Sequence, residues 1–419
     1  MRTSAGLLSI AVILVPLLAG CGSSGSAPSV SSGGGTGGVS NVQAISADAG
    51  PTGQFVNMVT TSVTICTPGT NTCQTIPNIQ VDTGSTGLRL LASVVTLSLP
   101  AVTASGGATY GECADFADGF LWGSLASADV RMAGEVAAAM PVQIIQDTGG
   151  GPAVPSTCSS QGANESSAAA LGANGLLGVG LFIQDCGGFC VTNTSPFYYT
   201  CTAGVCGEAA IPLAQQVTNP VAAFAQDNNG VVLQFPAIAA TGATSASGNM
   251  IFGIGTQANN VLTASAIGVP DSGATAGSFT AVFGSTTLAD SFIDSGSSLL
   301  YFPDANIPAC PSSTPSGNLS GFDCPGVATA LSSTAVNVTL QGSNAVSANV
   351  TINVANTQFL FGQPNASALN VFNDLGGPAL AALPNSFDFG VPFFFGRSVF
   401  TAFEQRSTSA GTGPYFAFQ

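Results

Sequence analysis

The chain has 419 residues but only five basic side chains, all arginine, against 20 carboxylates, and it contains no lysine and no histidine. Those absences exclude Ser-His-Asp and Cys-His nucleophile pairs, imidazole metal sites, Schiff bases and P-loop phosphate chemistry, leaving carboxylates for acid and base work. A formal charge of -15 also excludes nucleic acid as a partner, because neutralising phosphates needs clustered basic residues.

Charged residues make up 6% of the chain, against about 25% in ordinary soluble domains. The polar surface is therefore Ser, Thr, Asn, Gln and Gly. Once its carboxylates are protonated such a chain carries few positive charges, so it suits an acidic medium.

In chain order, Arg2 precedes an apolar run over residues 7–18 that is too short to stay as a membrane span and reads as a cleaved signal. Leu18-Ala19-Gly20-Cys21 resembles a bacterial lipobox, so residues 1–21 are expected to be a lipoprotein signal with Cys21 lipidated. Residues 22–50, almost all Gly and Ser as far as residue 40, read as a disordered tether. Gly22 after the cysteine resembles the outer-membrane sorting pattern, which implies an exported lipoprotein facing the periplasm or the cell surface.

Without Cys21, ten of the 11 cysteines remain, an even number in an exported chain. Close spacing favours Cys66 with Cys73, Cys201 with Cys206 and Cys310 with Cys324. Cys186 with Cys190 and Cys113 with Cys158 are left by elimination. The spacings are not those of a thiolate metal cluster, and no metal or cofactor is expected.

From Val56 onward the texture is β. Residues 59–65, 231–235 and 336–340 are short β-branched runs, and turn clusters such as Asp227-Asn228-Asn229-Gly230 separate them. Helical signals are brief, over residues 209–216 and 366–375, so the body is predicted to be all-β with a few short helices.

Four places read Asp-Thr/Ser-Gly, but only Asp82 and Asp294 follow an apolar strand and are followed by Gly and then a hydroxyl. Asp147 and Asp271 sit in loop contexts. Gly178, closing Leu176-Leu177-Gly178, lies 96 residues after Asp82, and Gly390, after Phe389, lies 96 residues after Asp294. Equal spacing in two halves suggests an internal duplication. Two carboxylates held within hydrogen-bond reach cannot both ionise cheaply, so one keeps a proton while the other activates water. Gly84 with Ser85, and Gly296 with Ser297, supply the close-approaching backbone and the outer hydroxyl that such a pair requires.

On these motifs the chain resembles the pepsin-like aspartic proteases over nearly all of residues 55–419. It also looks like a bacterial lipoprotein family of that clan carrying V-D-T-G-S-T-G-L-R, here Val81 to Arg89. The closing strands of that clan resemble residues 387–394 and 399–404. The resemblance implies a bilobal, pepsin-like double barrel with pseudo-twofold symmetry, an N-terminal lobe over 51–225 and a C-terminal lobe over 226–419. It also implies that Thr83 and Ser295 cross-link the two loops beneath a catalytic pair of Asp82 and Asp294.

The expected activity is endopeptidase cleavage in acid, with a peptide or protein substrate, a membrane contact through the lipid anchor, and action as a monomer. The alternatives are a catalytically silent pepsin-fold protein that binds peptides or a partner, and a structural lipoprotein. The chain departs from the clan at Arg89, where a tryptophan is usual, and at Glu112, near the usual flap tyrosine, with Tyr110 displaced from that place. Residues 110–123 occupy the position of the flap hairpin, which makes Arg89, Tyr110, Glu112 and Trp122 candidate flap or cleft residues. Arg89 is expected either to pair with Glu112 or Asp115, clamping the flap or reading an acidic substrate group, or to be a weakly paired surface residue. Trp122 has the alternative of plain core, and Phe393-Phe394-Phe395 reads as core strand.

Overall fold

The computed structural model describes residues 40–314 and 316–419. The expected signal segment, Cys21 and the expected tether as far as residue 39 lie outside the described residues. Among the described residues no helix is long and apolar enough to cross a membrane.

The body is all-β. Its N-terminal part runs β1 (Val42–Asp48), β2 (Met58–Cys66), β3 (Cys73–Asp82), β4 (Thr86–Leu91), β5 (Thr109–Asp115), β6 (Gly119–Met132) and β7 (Glu135–Ile145). β2 shows the local cause: Val59, Val63 and Ile65 are buried β-branched residues that pack on a pleated surface. Cys66 and Cys73 face each other across the β2–β3 register and are bonded, and the other four disulfides join the pairs expected from spacing and elimination.

A 16-stranded sheet contains all seven of these strands, and a seven-stranded sheet holds much of the C-terminal half. Phenylalanine dominates the core there, with Phe387 stacked on both Phe302 and Phe389 at centroid distances of 4.3 and 4.1 Å. Stacked aromatic pairs add about 0.5–1.5 kcal/mol each beyond their buried area. Phe393, Phe394 and Phe395 are buried in the core as expected, although the backbone of residues 391–394 forms a 3-10 turn rather than a strand.

The two halves repeat one arrangement around each aspartate. β3 runs parallel to Gly175–Val179 with Asp82 opposite Gly178, and β4 returns antiparallel to the same strand. In the second half Thr286–Ile293 runs parallel to Asp388–Phe389 with Ile293 opposite Phe389, and Leu300–Tyr301 returns antiparallel to that strand. The equal spacing in the sequence is therefore a repeated strand pairing.

Three local expectations need correction. The stretch expected to be tether as far as residue 50 is ordered at its end, because Val42–Asp48 is a strand that buries Ile45 and Ala47 and pairs with β2 on one edge and Ala246–Phe252 on the other. The helical signal over 209–216 yields only the 3-10 turn Leu213–Gln215, since Pro212 lacks the N–H that an earlier helical turn needs. The signal over 366–375 shrinks to Ala366–Ala368, because Val371 and Phe372 are drawn into the core and the Phe372 N–H donates to Asn57 Oδ1 (2.8 Å). The longest helix among the described residues, Thr357–Gly362, gave no sequence signal and is capped by Asn356, whose side chain accepts from the Phe359 N–H.

Candidate active site

Asp82 ends a buried strand and Asp294 follows one, so each carboxylate is delivered where its chain leaves the sheet. The loops then cross. Thr83 N–H donates to Ser295 Oγ (3.1 Å) and Ser295 N–H donates to Thr83 Oγ1 (2.9 Å). Each hydroxyl also donates to the strand of the opposite loop, Thr83 to the Ile293 carbonyl (3.3 Å) and Ser295 to the Val81 carbonyl (2.8 Å). The bonds are reciprocal, as an approximate twofold relation between the loops requires. All four span more than 200 residues of sequence and are buried.

This crossing brings the Asp82 and Asp294 carboxylates within hydrogen-bond reach of each other. Gly84 N–H donates to Asp82 Oδ1 and Gly296 N–H donates to Asp294 Oδ1, both at 2.7 Å. Ser85 donates to Asp82 Oδ2, and Ser297 lies 3.1 Å from Asp294 Oδ2. A Cβ on Gly84 would lie 2.6 Å from Asp294 Cγ, and one on Gly296 would lie 2.7 Å from Asp82 Oδ1. Only glycine permits the approach.

Asp82 is buried, Asp294 is half-buried and Gly84 is exposed, so the pair forms a floor that solvent reaches. Burial raises the Asp294 carboxyl well above the usual range, and the charges of Asp82 and Asp388 raise it further. The pair can therefore hold one proton between its two members and present one carboxylate to a water molecule.

The β5–β6 hairpin lies where the sequence placed it, with Glu112 opposite Gly123 and Cys113 opposite Trp122. Its turn carries Asp118, an exposed side chain whose carboxyl is raised by the protein around it and by the Asp82 charge. The outer edge of β5 is occupied by Tyr198–Thr202, and Cys113 is bonded to Cys158. This hairpin is pinned at its base.

The four candidate flap or cleft residues do not line an open cleft. Tyr110 packs among Tyr198, Ile211 and Val217, and Trp122 is core, edge-on to Tyr199 with its indole N–H on the Pro152 carbonyl (3.1 Å). Arg89 is 3% exposed and Glu112 1%, which rules out both the surface arginine and a direct contact with substrate. Arg89 donates to Glu112 Oε1 (2.5 Å), Asp185 Oδ2 (3.0 Å) and the Thr86 carbonyl (2.6 Å), and Asp115 takes no part. Tyr198 donates to Asp185 Oδ1 (2.6 Å). Burial raises the Glu112 carboxyl well above its usual range, against the opposing pull of Arg89, and the Asp185 charge adds to the rise.

Asp147 bonds Ser93 in an exposed loop and Asp271 is exposed, so neither joins the site. Two groups were not singled out by the sequence. Asp388 lies beside Ser297 (2.6 Å), and Tyr301 stands opposite Asp388 in the strand register, its phenol raised by burial and by Asp388, Asp118 and Asp294. The signal for Asp388 was its alignment with Leu176, two positions before the spaced glycine.

Fold and site together define a class: an all-β protein in which two Asp-Thr/Ser-Gly-Ser loops cross and their carboxylates meet. The chain belongs to the DUF3443 family, described as a protein of unknown function, whose model matches residues 37–418. No curated protein matches the chain.

Proposed function

We propose that the protein is a pepsin-like aspartic endopeptidase with Asp82 and Asp294 as its catalytic pair. The observation that carries this reading is the reciprocal crossing of the two loops, which brings the carboxylates together and leaves the outer oxygen of each facing a serine. In the working state one carboxylate takes a proton from water as the oxygen attacks the peptide carbonyl, and the other gives its proton to the developing oxyanion. On collapse the protonated member gives its proton to the departing amine nitrogen while the other takes one from a hydroxyl of the tetrahedral intermediate, so a carboxylic acid and an amine are released and the pair again holds one proton.

Acid favours the singly protonated pair, but the raised carboxyl of Asp294 keeps that proton beyond the ordinary carboxylate range. Activity is therefore expected to reach from acid toward neutrality. The leader and Cys21 support an envelope-anchored lipoprotein whose two halves are the lobes of a pepsin-like body. Mature protein should cleave an unfolded protein substrate, be blocked by a statine-type mimic, and lose at least about 10³-fold in kcat on Asp82→Asn or Asp294→Asn. Unchanged turnover in either variant would remove the reading.

A second reading is a peptide-binding protein of the same architecture that does not cleave. The pinned base of the β5–β6 hairpin favours it, because admission of a chain beneath a hairpin needs that hairpin to move. Binding of peptides without cleavage at any pH would select this alternative.

A further inference from the structure

Asp388 has no task in the two-loop chemistry, yet it is joined to it. Its side chain is 1% exposed, its Oδ2 lies 2.6 Å from Ser297 Oγ, and its Oδ1 has no hydrogen-bond partner. The same Ser297 Oγ lies 3.1 Å from Asp294 Oδ2. A hydroxyl has one hydrogen, so it satisfies only one of two ionised carboxylates. With both ionised, one contact would press lone pair against lone pair between two buried charges. The chain Asp388–Ser297–Asp294 therefore holds a proton. Either Asp388 donates to Ser297 and Ser297 to Asp294, or Asp294 donates to Ser297 and Ser297 to Asp388. Passing between the two arrangements moves one proton onto the serine and one off it, leaving the serine unchanged.

The first half lacks this chain. Leu176 occupies the place of Asp388, opposite Arg89 in register as Asp388 is opposite Tyr301. The asymmetry lies on the Asp294 side alone.

We propose that Asp388 is a positioning residue that serves the paired aspartates as a proton reserve, keeping a proton available to Asp294 through Ser297 as the medium becomes less acidic. The kinetic part rests on the endopeptidase reading; the proton itself does not. Burial raises the Asp388 carboxyl to about 8, and the Asp82 charge raises it while the Ser297 bond works against the shift. The titratable groups around Asp388 are Asp294, Asp82 and Tyr301, with Asp118 beyond them at the hairpin tip. No cation faces it among the described residues: Arg89 is held by Glu112 and Asp185, and Arg131, Arg397 and Arg406 bond the carbonyls of Thr70, Phe393 and Ala222. Loss of the reserve proton leaves a charge beside Asp294 that tightens the hold of the pair on its own proton.

The test compares Asp388→Asn, which preserves shape, and Asp388→Leu, which copies the first half. Two quantities are read, the pH profile of kcat/KM on an unfolded protein substrate and the slope of thermal stability against pH. In both variants the alkaline limb should move down by about one unit, so activity at about pH 7 relative to about pH 4 falls about tenfold, with acid-side activity retained. Wild type should lose stability between about pH 4 and about pH 8 with one more proton's worth of slope than either variant. An unmoved limb in both variants, or an identical slope, overturns the proposal. If wild type cleaves nothing, the endopeptidase reading fails and the slope alone decides whether Asp388 holds the proton.

Discussion

Gly84 shows how little room the paired carboxylates leave. A methyl group there would sit 2.6 Å from Asp294 Cγ, closer than real carbon contacts, and the carboxylate rather than the exposed loop would give way. Gly84→Ala is therefore expected to lower kcat about 10²-fold with a near-native melting temperature, since displacing a reacting group by an ångström costs about that much. A variant with full activity would show that the approach is not needed. At this scale the site was legible in the sequence, because each residue type has a single job there. The aspartates, the glycines beneath them and the outer serines had to occur twice, and a Cβ at the spaced Gly390 would lie 2.0 Å from the Leu299 carbonyl oxygen. Asp388 was hidden for the opposite reason: one acid between two phenylalanines reads as the polar face of a strand, and only folding puts it against Ser297.

The β5–β6 hairpin is the element that most changes the expectation. Its position and return strand were legible from residues 110–123, but the covering of its outer edge by Tyr198–Thr202 was not, because that pairing joins segments far apart in the chain. The buried arginine at its base follows the same logic. Arg89→Ala would leave Glu112 and Asp185 without a cation, a loss of about 3–5 kcal/mol for a broken buried pair. The raised Glu112 carboxyl makes the sign of the pH effect definite: protonation relieves the stranded charge in acid, so the deficit should grow from acid to neutral pH. Thermal melts of the variant at two pH values check this, and a deficit independent of pH would mean that the carboxylates are not left charged. The missed helix and the two shortened ones have a common cause. In a chain this poor in long helix-forming stretches, caps and core contacts such as Asn356 and Phe372 decide the local backbone more than propensity does.

For the whole molecule, the sparse charge seen in the composition meets a set of acids that folding keeps neutral. Asp374 and Asp388 are buried, and burial raises them to about 7 and about 8. Both would ionise near 3.9 in an unfolded chain, so the folded state binds more protons across that window. Their contribution is fully present below about pH 4 and is lost as pH climbs toward about 8, at about 1.4 kcal/mol per group for each pH unit within the window. Calorimetry at constant ionic strength should find a higher melting temperature at about pH 4 than at about pH 8; the reverse order would contradict the buried neutral acids. The composition made tolerance of acid legible, whereas the preference for it depends on which carboxylates the packing encloses.

β1 carries one further implication. It is laced to Ala246–Phe252 at six positions and to β2 at three, so the chain entering the body is clasped by both halves at once. A pull on the chain just before β1 would load those two ladders in shear, parallel to the strand, rather than peel them apart bond by bond. Tension applied there would thus be shared between the halves before it reached the loops that hold the aspartates.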